Sequence, residues 1–323
     1  MGKVLGCADS AFCHLVASHL VIPPGQEFSD EGFFSEGLEY QEHRSEFDSA
    51  EDERDYVVGQ WNLVALNLTH RQRFFNREAE NFFVALFEEA INARENTLFY
   101  GQRSPTVVQL KAGLTIFRAR RVSDRKEREA ILAVPAKELG APPKEVATHN
   151  RMNSTGVPLF YAASDEATSI AEVRPSIGDE VVVGQFATTR ELRLFDFRGL
   201  DRPRSHSKIS YFWSDYTARM RSRQLLAHLH NLISEPVDRH GHGYVVTQAM
   251  AEFLHYKYPE PFDGIVFRSV QAAGANYVIF NAPAATHEMQ APDWQPEFPV
   301  KHVGRPRTHK VTGIEYKHNG IKP

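Results

Sequence analysis

The chain has 323 residues, 42% hydrophobic and 24% charged, with a formal net charge of −4 and a pI of about 6.4. That length allows a large core or two domains of ordinary water-soluble composition. The charge balance is not the basic footprint of a nucleic-acid binder, and no apolar run approaches the roughly 20 residues that span a bilayer.

The N-terminal stretch "MGKVLGCADSAFCHLVASHLVIPP" holds one lysine and a broken apolar run, which argues against a signal peptide. Two cysteines build no disulfide framework, which fits a reducing cytoplasm. Cys7, Cys13, His14 and His19 are of zinc-ligand type, but their spacing is irregular and lacks a Cys-x-x-Cys knuckle, so no metal is expected. Residues 26–55 are acidic and poor in aliphatics, the texture of a solvated loop or helix face. In "HRQRFFNREAENFFVALFEEAINA", Phe75, Ala79, Phe82, Phe83, Leu86, Phe87 and Ala90 recur at three and four residues, which predicts an amphipathic helix. Residues 1–105 therefore read as a mainly helical domain for regulation or interaction. "YGQRSPTVV" supplies the turn residues of a boundary.

Residues 106–300 change texture. "GLTIFRARRV" predicts a strand and "DRKEREAILAV" a helix, followed by a proline-bearing loop. "VPLFYAAS" then reads as a strand and "DEATSIAEVRP" as a helix capped by Asp165. "EVVVGQFATT" and "ELRLFDF" are strand-like, "SDYTARMRSRQLLAHLHNLIS" and "VVTQAMAEFLHYK" helix-like, and "FDGIVFRS" and "NYVIFNA" strand-like again. The class is α+β. Residues 301–323 form a basic tail with a candidate strand through "VTGIEY". No nucleotide-binding glycine fingerprint occurs.

Arg151 falls in a loop, Tyr161 near a strand end, Glu172 on the next helix and Ser269 at another strand end. Such places converge on clefts. A guanidinium fork suits phosphate, a phenol ring offers a stacking face, and a carboxylate stabilises positive charge developing on a sugar. A site for a phosphorylated ribose bearing an aromatic leaving group accounts for the set. Isolated surface charges and a core tyrosine would account for the same residues one by one.

The ordered series Arg151, Gly156, Pro158, Tyr161, Glu172, then Asp263-Gly264-Ile265 and Ser269, with "FRAR", "AEVRP", "YVVTQAMAEFL" and "DGIVFRS…NYVIFN", resembles the RES domain family from about Phe117 to Asn281. The resemblance implies a compact mixed-sheet fold similar to ADP-ribosyltransferase toxins. It also implies an enzyme that destroys NAD by hydrolysis or phosphorolysis, as a toxin or anti-phage effector. On this chain Arg151 and Arg118 would hold phosphates, Tyr161 would pack on the nicotinamide end and Asn153 would join the substrate contacts. Glu172 would stabilise the oxocarbenium-like transition state, and Ser269 would orient ribose or phosphate. NAD is then substrate rather than cofactor, with water or inorganic phosphate as acceptor. Transfer of ADP-ribose to a macromolecule, or an NAD-responsive module without turnover, remain the alternatives. An NAD-consuming chain also implies restraint by an antitoxin, by self-assembly or by the N-terminal domain.

Many RES domains carry Gly-Arg-Trp-Asn where this chain has Asn150, Arg151, Met152 and Asn153, which questions the pocket's shape. Residues 1–105 resemble the helical HEPN/RES N-terminal domain, yet they lack the Arg-to-His spacing of HEPN ribonucleases. Arg223 with His228 has that spacing but lies inside the RES region, where a packing or charge role is expected.

Overall fold

A computed structural model of the chain describes residues 50–97, 101–201, 216–234, 244–284 and 286–315. The chain divides into two units, Met1–Glu53 and Arg54–Pro323, and the second carries every described strand. Cys7, Cys13, His14, His19 and most of the acidic stretch lie outside the described residues.

Helix α1 (Ala50–His70) is followed by α2 (Arg77–Asn92), which Asn76 caps by accepting from the Ala79 amide at 3.0 Å. The stripe on α2 buries Ala79, Phe83, Leu86, Phe87 and Ala90, with Phe82 partly covered. Phe75, expected on that stripe, is instead 96% exposed. It precedes the cap with φ of 54°, so it stands outside the helix whose face it was read into.

After a hairpin of β1 (Glu95–Thr97) and β2 (Gly101–Arg103) come β3 (Val107–Leu110), β4 (Thr115–Val122), α3 (Arg125–Ala133) and α4 (Pro135–Glu138). Next are β5 (Phe160–Ala163), α5 (Glu166–Glu172), β6 (Glu180–Thr188), β7 (Leu192–Asp196), α6 (Tyr216–Ser234) and α7 (Tyr244–Glu252). The chain closes with β8 (Gly264–Arg268), β9 (Ala275–Ile279), α8 (Thr286–Met289) and β10 (Val300–Lys310). The main sheet has eight strands in the order β10-β6-β4-β5-β9-β8-β7-β3. Only its β7–β8 pair is parallel. The architecture is the α+β class that the periodicities predict.

Strand alternation sends successive residues to opposite faces. Ile265 and Val278 join α1, α2, α6 and α7 in one core cluster, while Val266 and Ile279 face the other with Ile116, Ile131, Val182 and Phe186. Phe87 of α2 meets Phe195 of β7 edge-on at 4.9 Å and stacks on Phe253 at 5.9 Å. Glu89 of α2 pairs with Arg223 of α6, the charge role expected of that arginine, while the His228 side chain lies outside the described residues. The boundary expected near residue 105 thus coincides with no break in the core, because the helical stripe before it packs on the sheet after it.

The C-terminal strand lies earlier than expected. It is β10, paired with β6 from Val300 to Lys310, and residues 311–315 form no strand. Val311 is instead tied through its backbone to Gly178 and Asp179. A bulge between Val303 and Arg307, with Gly304 at φ of 68°, interrupts the pairing. No described helix is long and apolar enough to cross a membrane.

One irregularity positions the site. β4 pairs with β6 over eight residues and β5 with β9 over four, but β4 and β5 meet at the single pair Phe117–Ala163. Beyond it the sheet parts.

Candidate functional site

A cleft of about 550 Å³ opens where β4 and β5 part, a volume suited to a small-molecule ligand. Arg118 of β4 and Tyr161 of β5 line it, with Glu172 from the end of α5 and Asn276 from β9. Among the described residues its charged lining is four arginines (Arg118, Arg151, Arg174 and Arg268) and one carboxylate, Glu172.

Glu172 stands on the last turn of a helix whose start is firmly fixed. Asp165 accepts from the Thr168 amide and hydroxyl, both at 2.8 Å. Arg307 of β10 donates to Glu166 at 2.9 Å, and His309 contacts the same carboxylate. At the other end of α5, Ser269 Oγ donates to Glu172 Oε1 at 2.6 Å and Asn276 Nδ2 donates to the same oxygen at 2.7 Å. Ser269 Oγ in turn accepts from the Gln271 and Ala272 amides at 3.1 Å. Two donors on one oxygen fix the carboxylate and leave its second oxygen engaged by neither.

Arg151 sits at the tip of a two-residue turn closed by Asn150 and Asn153. The turn sends Met152 inward, where it is 1% exposed, and leaves Arg151 to the cleft. Met152, which stands where many RES domains carry tryptophan, does not line the cleft. Helix α7 fastens the turn: Thr247 Oγ1 donates to the Arg151 carbonyl, and Gln248 Nε2 donates to the Asn150 and Asn153 carbonyls at 2.8 and 2.9 Å. The arginine lies 5.7 Å from the Tyr244 ring centre. Burial holds its pKa below the usual value, opposed by Tyr244 and Glu172.

Arg118 is the more strained cation. Burial, then repulsion from Arg120, lowers its pKa to about 10. Its Nη1 is buried with no hydrogen-bond partner among the described residues, and the group lies 5.3 Å from the Phe160 ring centre. A guanidinium nitrogen left without a hydrogen-bond acceptor suits an anion arriving in the cleft.

The Tyr161 hydroxyl donates to Asn153 Oδ1 at 2.7 Å, and burial raises its pKa, keeping it a neutral donor. Asn153 donates to the Thr148 and Ser154 carbonyls at 2.9 and 3.1 Å and is 4% exposed. It stands behind Tyr161 rather than on the cleft wall. Arg118, Arg151, Tyr161 and Glu172 are therefore brought together, and Ser269 joins them through Glu172. The sequence reading missed Asn276, Tyr244, Arg174, Thr247 and Gln248 as individuals. Apart from Asn276, whose strand "NYVIFNA" reads as core, they sit in "AEVRP" and "YVVTQAMAEFL", where their polarity within ordered motifs was the available signal.

The family model of the RES domain matches residues 116–299, more than half of the chain and the whole cleft. The chain belongs to the RES domain family. No curated protein matches it. Among solved structures this RES chain is similar to one in the crystal structure of the M. tuberculosis MbcT–MbcA toxin–antitoxin complex. The two share 13% identity over 73% of this chain and 93% of that one, with a TM-score of 0.34.

Proposed function

We propose that this RES protein cleaves the bond between nicotinamide and ribose in NAD. The observation that carries the reading is the Glu172 carboxylate, fixed by Ser269 and Asn276 in a cleft whose other charges, among the described residues, are arginines. A dinucleotide brings two phosphates, for which Arg118 and Arg151 are the proposed ligands. Its nicotinamide is a cationic leaving group, so departure needs no general acid. As the C1′–N bond breaks, its electron pair passes to the ring nitrogen and positive charge grows on the ribose. Glu172 stabilises that charge, and its prior fixation removes reorganisation from the barrier. Water or inorganic phosphate then bonds to C1′ and gives up a proton, completing ADP-ribose or its 1″-phosphate.

Consumption of NAD harms the cell that makes the enzyme, so the same reading includes a toxin or defence role, restrained by a partner protein. Residues 1–105 and self-assembly are further places for that control.

The test follows NAD and its products by chromatography and mass spectrometry, with and without phosphate. Release of nicotinamide with ADP-ribose or its 1″-phosphate supports the reading and names the acceptor. Intact NAD, or label transferred to a macromolecule, contradicts it.

A further inference from the structure

Helix α5 ends at Glu172 with Val173 as its C-cap, and the next residue, Arg174, adopts φ of 46°. The position after a C-cap is where the left-handed backbone usually belongs to glycine or asparagine, since an L side chain there crowds its own carbonyl. Besides Arg174, only Phe75 among the described non-glycine residues has positive φ. The Arg174 amide closes the helix on the Ala171 carbonyl at 3.0 Å, and Pro175 stops it. A glycine would make this ending without strain. The arginine side chain lines the cleft, and among the described residues its guanidinium has no hydrogen-bond or ion-pair partner.

Arg174 and Arg151 reach the cleft from separate segments, one from the end of α5 and one from the turn before β5. Their fields overlap, because the charge of Arg174 helps lower the pKa of Arg151. The Glu172 carboxylate acts on Arg151 more strongly than Arg174 does and offsets part of this repulsion, and an anion lying between the two guanidinia would relieve the rest. Strained backbone held at a cleft is a common sign of a binding role.

We propose that Arg174 is a further substrate-binding residue, closing with Arg151 on the diphosphate of an adenine dinucleotide. The identity of the dinucleotide rests on the NAD-cleaving reading, whereas the grip on a diphosphate does not. Arg174 thereby separates diphosphates from monophosphates: it joins Arg118 and Arg151 as a third guanidinium on the phosphate pair, and a lone phosphate, which fills one of those places, gains little from it.

The test compares wild type with Arg174→Gly and Arg174→Lys. Binding of ADP and of AMP is measured by calorimetry, melting by heat denaturation, and KM and kcat by nicotinamide release. Because glycine fits the backbone, Arg174→Gly is expected to melt no lower than wild type. Its ADP affinity is expected to fall about tenfold while AMP affinity stays within about twofold, and KM for NAD to rise in step. Arg174→Lys, which keeps the charge, is expected to recover part of the ADP preference. Unchanged ADP affinity in Arg174→Gly overturns the assignment, as does an equal loss for ADP and AMP or a wild type that binds no ADP. A wild type that prefers ADP but leaves NAD intact would refute the catalytic reading and not this one.

Discussion

Ser269 Oγ lies 2.6 Å from Glu172 Oε1, although 97 residues of sequence separate them. The contact joins the turn after β8 to the end of α5. Asn276 of β9 bonds the same oxygen, so the carboxylate is fixed by that turn and by the strand that follows it. Preorganisation of this kind does catalytic work because no dipole has to turn while charge develops.

Removing one donor should therefore slow the reaction more than it weakens the substrate. Ser269→Ala and Asn276→Ala are each expected to lower kcat by about ten- to a thousandfold with a smaller change in KM. Steady-state kinetics on folded variants checks this, and a loss confined to KM would contradict the role.

Gly274 makes a mechanical counterpart to those variants. A Cβ there would collide with Thr168 Oγ1, Asp165 Oδ2 and Ser164 Oγ, which are hydrogen-bonded to one another beside the cap of α5. Gly274→Ala is expected to destabilise the fold by about 1–3 kcal/mol through overpacking. It should also reduce turnover, by pushing the Ser269 turn away from the helix that carries Glu172. Urea unfolding and nicotinamide release, measured on the same preparation, test both halves.

Arg118 should trade stability for binding. Its pKa is lowered to about 10 by burial, so the fold disfavours the charged form. The folded state releases its proton before the unfolded state does, and stability is therefore expected to rise as pH climbs through 10 toward the unfolded value. Substrate binding runs the other way, since phosphate needs the charged form, and KM is expected to rise over the same window. At neutral pH, Arg118→Met should stabilise the protein by about 1–3 kcal/mol and raise KM for NAD. Denaturant midpoints and kinetics together check the opposed signs.

Phe75 carries strain without packing in return, being 96% exposed at φ of 54°. Phe75→Asn, which tolerates that backbone, is expected to stabilise by about 1 kcal/mol and leave turnover unaltered. A thermal melt showing destabilisation would mean that the ring makes contacts in solution.

Much of the fold was legible where burial writes a period into the chain. The α2 stripe, the β5–α5 unit and the Asp165 cap all follow from local spacing. β10 was not legible, because "VKHVGRPRTHK" has no apolar alternation and includes a glycine and a proline. It is a strand because β6 offers an open edge, which is a tertiary fact. Nor does any local pattern state that β4 and β5 meet at one pair, yet that divergence makes the cleft. The site residues were legible as an ordered family series, but not their division of labour. Asn153 proves to support Tyr161 from behind, and Asn276, hidden in the apolar run "ANYVI", bonds Glu172 directly.

The proposed catalysis depends most directly on Glu172, so the decisive measurement is nicotinamide release from NAD by wild type and by Glu172→Gln, with folding checked by circular dichroism and melting. Glutamine keeps the shape and removes the charge, and kcat is expected to fall on the order of a thousandfold in a protein that melts near wild type. Full turnover by folded Glu172→Gln would contradict the proposed catalysis.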